Sequence, residues 1–207
     1  MSIEQSRRER ANRRRLVYPG TDVWKNKHGI TEQGELSEAE ASLFASRSMR
    51  RPRLRKFTLS EMCAIHKHIF GELYEWAGKL RSFTTSRGHD TFARPEFIES
   101  YFKSAVTQPL EQENYLIGTT RGEFARRAAY FVTEVNATHP FTDCNGRLTR
   151  IFLQDLALKA GHEIDIQRIA SRKEVWYGVM RDAFNGNARG LENEILSAMP
   201  QNPPCEI

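Results

Sequence analysis

The feature that most constrains the fold is a repeated signal for the start of an α-helix. In a capping box, a Ser or Thr side chain accepts a hydrogen bond from the backbone, and a Glu three residues later bonds back. The sequence contains four such pairs, namely Ser37/Glu40, Thr58/Glu61, Thr120/Glu123 and Ser171/Glu174. Four helix starts in a chain of 207 residues predict an all-α domain.

Apolar residues at three- and four-residue spacing predict where the longer helices run. The stripe after Thr58 extends to Trp76, and further helices are predicted over residues 123–137 and 147–160. The segment 81–93 is instead rich in Phe and Thr, which favours a short β-hairpin. We expect this hairpin to turn near Gly88, and Pro95 to begin the next helix.

The net charge of +5 is concentrated in two short segments. Residues 1–15 hold six Arg and two Glu, and residues 47–56 hold six basic residues and no acidic one, so the rest of the chain is net negative. Because residues 1–15 have almost nothing apolar to bury, we predict a mobile basic tail there. A domain over residues 16–200 and a frayed tail over residues 201–207 complete the predicted organisation.

Composition and cysteine pattern indicate the broad class of protein. With 39% hydrophobic and 28% charged residues, the chain is typical of globular domains. No apolar stretch approaches the about 18 to 20 residues of a membrane span, and the amino terminus lacks the apolar core of a secretory signal. Three scattered cysteines, Cys63, Cys144 and Cys205, fit neither a metal site nor a disulfide framework. We therefore expect a cytoplasmic protein.

The densest cluster of chemically active side chains runs from His139 to Arg150, with the sequence HPFTDCNGRLTR. An Asn-Gly loop that leads directly into a helix can point successive backbone N–H groups at an anion, and the helix dipole adds to them. Arg147 and Arg150 are three residues apart, so both leave the first turn on one face and can bind phosphate oxygens. The pattern predicts binding of more than one phosphate.

Two other side chains of this segment suit a transfer reaction. A carboxylate beside a polyphosphate commonly holds Mg²⁺, which predicts this role for Asp143. His139 can accept a proton near neutral pH and act as a general base on a hydroxyl. Together these residues predict phosphoryl or nucleotidyl transfer to a hydroxyl. From composition alone, a solvated loop with a local Asp/Arg pair is the alternative.

The order of residues in this loop resembles the signature of the Fic family, HPFx(D/E)GNGRxxR, at every specified position except Cys144, where the family usually has Gly. Upstream, residues 65–70 and 74–81 look like the family's helix leading into its hairpin. Downstream, residues 152–165 resemble its next helix and turn. The resemblance covers residues 18–184 and implies the Fic fold, a helical bundle with one β-hairpin flap over the active site.

Most family members with this loop are protein adenylyltransferases, which move AMP from ATP to a protein hydroxyl. The resemblance implies that His139 is the catalytic base and that Asp143 is the Mg²⁺ ligand. In the flap, Thr91, Phe92 and Ala93 would align a target segment as an added strand. The residues implied to bind the ATP phosphates are Asp143, Cys144, Asn145, Gly146, Arg147 and Arg150.

Alternative activities remain open at this stage. The related Doc-type kinases have Asn-Lys-Arg where this chain has Asn-Gly-Arg, so Gly146 favours AMP transfer over kinase chemistry, and other nucleotidyl transfers stay possible. The non-enzymatic alternative is a nucleic-acid-binding module that uses residues 1–15 and 47–56. If the position of Cys144 requires a positive φ, its side chain adds strain and weakens ATP binding.

The family's inhibitory helix, (S/T)xxxE(G/N), has no match in this sequence. Only Glu113 and Glu192 precede Asn or Gly, and neither has Ser or Thr four residues before it. That absence resembles the class in which a separate antitoxin protein supplies the helix. The resemblance therefore implies a toxin with an antitoxin partner and a target that carries an acceptor Tyr, Thr or Ser, for example a topoisomerase-type protein.

Overall fold

The computed structural model describes residues 3–87 and 90–200, which form a helical bundle with one two-stranded hairpin. The predicted turn at Gly88 and the predicted tail 201–207 lie outside these residues. The helices are α1 (Ile3–Leu16), α2 (Gln33–Ser48), α3 (Leu59–Phe70), α4 (Ile98–Phe102), α5 (Gln108–Gln112), α6 (Arg121–Thr138), α7 (Asn145–Ala160), α8 (Ile166–Ser171), α9 (Lys173–Phe184) and α10 (Arg189–Ala198). The antiparallel strands are β1 (Ser86–Arg87) and β2 (Asp90–Thr91). The predicted all-α fold with one hairpin is confirmed.

Two of the four capping boxes form, and they begin the helices that carry the core. Thr58 caps α3 and Thr120 caps α6, each with the reciprocal Glu bond. The other two predictions are wrong. Ser37 lies inside α2, where its hydroxyl donates to the carbonyl of Gln33 at 2.8 Å, and Ser171 is the last residue of α8. Both motifs are present in the sequence, but α2 already begins at Gln33 and α8 ends only at Ser171, so neither serine precedes a helix as its cap.

Helix α3 is shorter than predicted, because the apolar stripe continues beyond the end of the helix. The helix stops at Phe70, yet Leu73 and Trp76 are buried in the turns that follow. At Gly78 the backbone has φ +78°, and a Cβ atom would lie 2.7 Å from the Cβ of Lys67. This glycine lets the chain pack directly against α3 before it enters the hairpin. Pro95 begins the next helical segment as expected, first as a 3-10 turn over Pro95–Phe97 that leads into α4.

The core forms around α6, which packs against α7 and α10. Phe124 and Phe131 of α6 and Phe152 and Leu156 of α7 are fully buried. These two helices were predicted within a few residues of their observed bounds. The loop over residues 139–144 joins them, so both of its ends are fixed by the best-packed part of the molecule. None of the helices in the described part of the chain has the length and apolar character that a membrane span requires.

Residues 3–15 of the first basic segment are helical, although the sequence analysis assigned no helix there; that the segment is a mobile tail stays a prediction. Helix α1 contacts the body through polar groups: Asn12 donates to the carbonyl of Ser82, and Glu9 accepts from the N–H of Thr84. The sequence analysis missed this helix because it considered only apolar burial as an anchor. The division between the predicted tail and domain stays a prediction.

Part of the second basic segment is structural. Arg51 is 6% exposed and forms a two-pronged ion pair with Asp155 of α7, at 2.6 and 2.8 Å. The same carboxylate also accepts from Arg53 and from the backbone N–H of Leu54. These contacts attach the 51–54 segment to α7, so this part of the basic segment is engaged inside the protein.

Candidate active site

The predicted chemical residues converge on one cavity of about 710 Å³ between the 139–146 loop, the first turn of α7 and helix α9. Phe92 of the predicted flap residues also lines the cavity, whereas Thr91 and Ala93 do not. The residues predicted to catalyse transfer or to bind phosphate all line it, namely His139, Asp143, Cys144, Asn145, Gly146, Arg147 and Arg150.

His139 is held from three sides at the end of α6. Its backbone is left-handed, with φ 43° and ψ 59°, and its N–H closes the helix on the carbonyl of Val135. Its own carbonyl accepts from Nε of Arg81 at 2.7 Å. Its ring stacks on Phe92 with centroids 3.9 Å apart and an interplanar angle of 9°. The backbone and the ring are therefore both fixed before any substrate binds.

Arg81 ties the hairpin to the end of α6. Its buried guanidinium donates to the carbonyls of Phe83, Ala93, Thr138 and His139. Burial lowers the pKa of Arg81 to about 10, so the side chain remains charged at neutral pH. One side chain thus sets the position of the hairpin base relative to the histidine.

Asp143 is oriented by a residue that the sequence analysis missed. The indole N–H of Trp24 donates to Oδ2 at 2.7 Å, and the N–H of Cys144 donates to Oδ1 at 2.6 Å. Trp24 lies 119 positions upstream, and its ring packs against Trp76 and Phe83. No local pattern links it to the loop, so sequence alone gave no signal for this contact.

The surroundings of Asp143 fit a magnesium ion held mainly by a nucleotide. Each carboxylate oxygen accepts one hydrogen bond and keeps further lone pairs for a cation. Within the described ranges, no group of three or more His, Cys, Asp or Glu side chains could hold a metal. Mg²⁺ is commonly bound by one or two carboxylates together with phosphate oxygens and water, which is what this donor set permits.

Cys144 occupies a left-handed backbone position, with φ 64° and ψ 10°, immediately before α7. The position therefore has the backbone geometry for which Gly is favoured, as anticipated from the family signature. Its sulfur lies 3.4 Å from Nη1 of Arg147 and 3.7 Å from Oε1 of Glu40. Burial raises the pKa of the Cys144 thiol well above its usual value, so it is a protonated group and a poor nucleophile.

Replacing Cys144 by glycine is expected to preserve or raise the transfer rate. The substitution relieves a left-handed strain of about 1 kcal/mol and removes one weak contact to Glu40. Steady-state rates of AMP transfer are measured for the unmodified protein and for Cys144→Gly. A glycine at Cys63 would destabilise helix α3, so Cys63→Gly is not a suitable control. Cys63→Ser serves instead. A loss above tenfold in Cys144→Gly alone would show that the thiol has a role in transfer.

The loop between His139 and α7 is shaped by Asn145 and Phe141. The Asn145 amide donates to the Phe141 carbonyl at 2.8 Å and accepts from its N–H at 3.0 Å. Phe141 is fully buried and anchors the loop through its apolar ring. Because the Asn145 side chain is engaged with the backbone, its contribution to the predicted anion cradle is to hold the loop in shape.

His66 contacts the same loop from the buried core side. It is fully buried, its ring stacks on Phe141, and its Nδ1 accepts the N–H of Gly78 at 2.9 Å. The proton on Nε2 then points at the carbonyl of Asp143, 3.3 Å away. Burial lowers the pKa of His66 to about 4. This buried histidine therefore also positions the Asp143 backbone.

The buried His66 predicts a pH dependence of stability. The unfolded chain binds a proton at this residue near pH 6.5, whereas the folded protein resists it until about pH 4. The free energy of unfolding is therefore expected to fall by ~3 kcal/mol as the pH drops from 6.5 to 4, and to be unaffected above that range. Urea denaturation across this range measures the slope. The slope should diminish in His66→Gln and persist in His28→Gln, whose side chain is exposed.

The two arginines of the loop have different surroundings. Arg147 pairs with Glu40 of α2 at 2.8 Å, and the same carboxylate accepts from the Tyr74 hydroxyl at 2.6 Å. Burial lowers the pKa of Arg150, whose guanidinium donates a hydrogen bond to the hydroxyl of Tyr177. Across the described residues, no carboxylate forms an ion pair with Arg150. Glu40 was predicted to belong to a capping box, but it lines the cavity and bonds to Arg147 and Tyr74.

Helix α9 supplies a wall of the cavity that the sequence analysis did not anticipate. Lys173, Tyr177 and Arg181 lie four residues apart and all line the cavity. Their spacing puts them on one helix face, which is the signal that could have revealed them. Two cations and a hydroxyl thus face the first turn of α7, and the site can surround a polyanion.

Comparisons with known proteins agree with this geometry. A family model described as the Fic/DOC family matches residues 56–157. A protein of Sinorhizobium fredii, named a probable protein adenylyltransferase, is 33% identical over 180 residues, which is 87% of this chain and 93% of that protein. A protein of the same description from Salmonella typhimurium is 35% identical over 84% of this chain and 86% of its own.

Solved structures give the same result. The BepC protein of Bartonella tribocorum with bound AMPPNP has a TM-score of 0.83 at 25% identity, covering 92% of this chain and 98% of that one. A Fic domain from Bartonella quintana with bound ADP has a TM-score of 0.82 at 28% identity, covering 91% and 96%. The chain belongs to the Fic/DOC family, and the relatives that it matches over most of their length are named protein adenylyltransferases.

Proposed function

We propose that this protein transfers AMP from ATP to a hydroxyl side chain of a target protein. The observation that supports this most directly is the position of His139 and Arg150 on the wall of one cavity, with the first turn of α7 between them. A base, a helix amino terminus and a guanidinium without an acidic partner among the described residues are what nucleotidyl transfer needs.

Each residue then has a defined role in the reaction. His139 accepts the proton of the target hydroxyl, whose oxygen attacks the α-phosphorus of ATP. The bond between that phosphorus and the bridging oxygen breaks, and pyrophosphate leaves. Arg150 and the N–H groups of the first turn of α7 bind the phosphates that depart. The cations Lys173 and Arg181 on α9 face the same space.

Asp143 would hold Mg²⁺ in this reaction. The ion would neutralise phosphate charge that develops when the bond breaks. Trp24 and the N–H of Cys144 keep the carboxylate in one orientation, so the protein's own contribution is to present fixed oxygens to the ion.

Regulation by a separate protein is part of the proposal. Within the described residues no carboxylate is paired with Arg150, which is consistent with an inhibitory Glu supplied by a partner. We therefore propose a small antitoxin partner and a toxin role, with a topoisomerase-type protein as one class of target. Glu40 does not fill this inhibitory role, because it contacts Arg147 and not Arg150.

The experiment that tests the function uses ATP labelled at either the α- or the γ-phosphate. The purified protein is incubated with cell lysate, and His139→Ala is run in parallel. Label transferred from the α-phosphate by the protein, and lost in the variant, is the expected result. Label from the γ-phosphate would mean the Doc-like kinase alternative, and label from neither would exclude both transfers.

The nucleic-acid alternative has a narrower basis in the structure. Arg51 and Arg53 are engaged with Asp155, so the basic groups left to it are the exposed arginines of α1 together with Arg50, Arg55 and Lys56. DNA binding that weakens steeply with salt and disappears when residues 1–15 are deleted would support it.

A further inference from the structure

The two arginines at the start of α7 are held by partners of different charge. Arg147 pairs with the carboxylate of Glu40, which offsets its positive charge. Arg150 donates a hydrogen bond to the hydroxyl of Tyr177, and no described carboxylate forms an ion pair with it. A neutral acceptor can fix a guanidinium without neutralising it, and the other N–H groups stay available to an anion. The hydroxyl thus orients Arg150 in a way that an ion pair could not.

Tyr177 meets α7 at two positions that lie one helical turn apart. Gly146 and Arg150 are four residues apart, so they share a face of α7. A Cβ atom at Gly146 would lie 3.9 Å from both Cε1 and the hydroxyl oxygen of Tyr177. A side chain larger than that of alanine would therefore compete with the phenol for the same space. The glycine leaves room for the ring that bonds to Arg150.

Helix α9 itself supplies a contact to the face of this ring. The ammonium group of Lys173, one turn before Tyr177, lies 5.6 Å from the ring centroid. A cation over the face of an aromatic ring is attracted to it. The phenol is therefore held both at its face and at its hydroxyl, so it presents a fixed acceptor to Arg150.

The surroundings of Arg150 make this acceptor important. Lys173, Arg147 and Arg181 line the same cavity, so the guanidinium has several cations as neighbours. Burial and then the positive charge of Arg147 lower the pKa of Arg150, and both disfavour a charged side chain at this position. The hydrogen bond to Tyr177 acts in the opposite direction and favours the charged form. Without it, we expect the guanidinium to turn towards solvent.

We infer that Tyr177 is a positioning residue, whose hydroxyl orients Arg150 towards the phosphates beyond the α-phosphate of ATP and leaves the charge of that arginine intact. This inference rests on the proposed function, in which Arg150 binds the phosphates that depart. Tyr177 acts through Arg150 and not through a contact of its own with the nucleotide. Loss of the hydroxyl should therefore weaken the binding of a nucleotide with a triphosphate chain and spare the binding of AMP.

The variant Tyr177→Phe tests this role, because it keeps the ring and removes only the hydroxyl. Calorimetry measures its affinity for AMPPNP, which carries the full phosphate chain, and for AMP, which carries only the α-phosphate. We expect AMPPNP affinity to fall about tenfold, as for the loss of a hydrogen bond to a charged group, and AMP affinity to change less than about twofold. Tyr130→Phe, at an exposed position on α6 that does not line the cavity, is the matched control.

A double-mutant cycle separates an action through Arg150 from a direct contact with the nucleotide. In a protein that already carries Arg150→Ala, adding Tyr177→Phe should change AMPPNP affinity less than about twofold, because the group that the hydroxyl orients is gone. A loss that persists in the Arg150→Ala background, or an equal loss for AMP and AMPPNP, would overturn the inference. Urea denaturation shows whether each variant is folded.

Failure of this inference is distinguishable from failure of the proposed function. The cycle measures nucleotide binding alone and needs no target protein. If Arg150→Ala bound AMPPNP as tightly as the unmodified protein, the inference would be overturned, whatever the labelling of lysate proteins showed. If the cycle gave the expected coupling and no label from the α-phosphate were transferred, the proposed function would be overturned and the inference would stand.

Discussion

Replacing His139 is expected to reduce AMP transfer by about two to four orders of magnitude, the usual contribution of a general base. Two variants distinguish the loss of the base from the effect of backbone strain at this position. His139→Asn keeps a residue type that tolerates the left-handed conformation, whereas His139→Ala adds strain at φ 43°. Both lose the group that accepts the proton, so both should lose transfer to a similar extent.

The measurement is single-turnover transfer of α-labelled AMP, with AMPPNP affinity determined by calorimetry. Affinity should change little, because the contact proposed for His139 is with the target hydroxyl and not with the phosphates. His28→Ala, at an exposed position, is the matched histidine control. Transfer within tenfold of the unmodified rate in His139→Asn would show that another group accepts the proton.

The parts of the site that are local in sequence were predictable. The capping boxes at Thr58 and Thr120 placed the starts of α3 and α6. The apolar stripes of α6 and α7 placed these two core helices and, between them, the loop from His139. Its order of residues identified the family. Each of these features depends on residues within a few positions of one another, so a single sequence contains the information.

The parts that were missed depend on residues distant in sequence. Trp24 reaches Asp143 across 119 positions, and Glu40 reaches Arg147 across 107. Helix α1 was missed because it docks through polar side chains and not through an apolar stripe. Periodicity reports burial, so it is silent about polar contacts that form only when the chain has folded.

The two arginines of the loop, treated alike in the sequence, are expected to respond differently to substitution. Arg147 is held by Glu40 and packs near the rings of Phe44 and Phe70, whereas Arg150 pairs with no described carboxylate. A buried carboxylate that loses its partner destabilises the fold, but a phosphate ligand that is removed weakens binding. Substitution of Arg147 should therefore mainly lower the stability of the fold, and substitution of Arg150 should mainly lower the rate of transfer.

Arg150→Ala is expected to lower transfer by about a hundredfold and to change the free energy of unfolding by less than ~1 kcal/mol. Arg147→Met should instead lower that free energy by about 2 kcal/mol, since the Glu40 side chain is only 11% exposed and loses its cation. Urea denaturation and transfer rates are measured on both variants.

The double variant Arg147→Met with Glu40→Gln removes both charges and should regain much of the stability, because the remaining amide still accepts the Tyr74 hydroxyl. If Arg147→Met lost transfer as strongly as Arg150→Ala at full stability, both arginines would be phosphate ligands, and the contact with Glu40 would be one that ATP displaces.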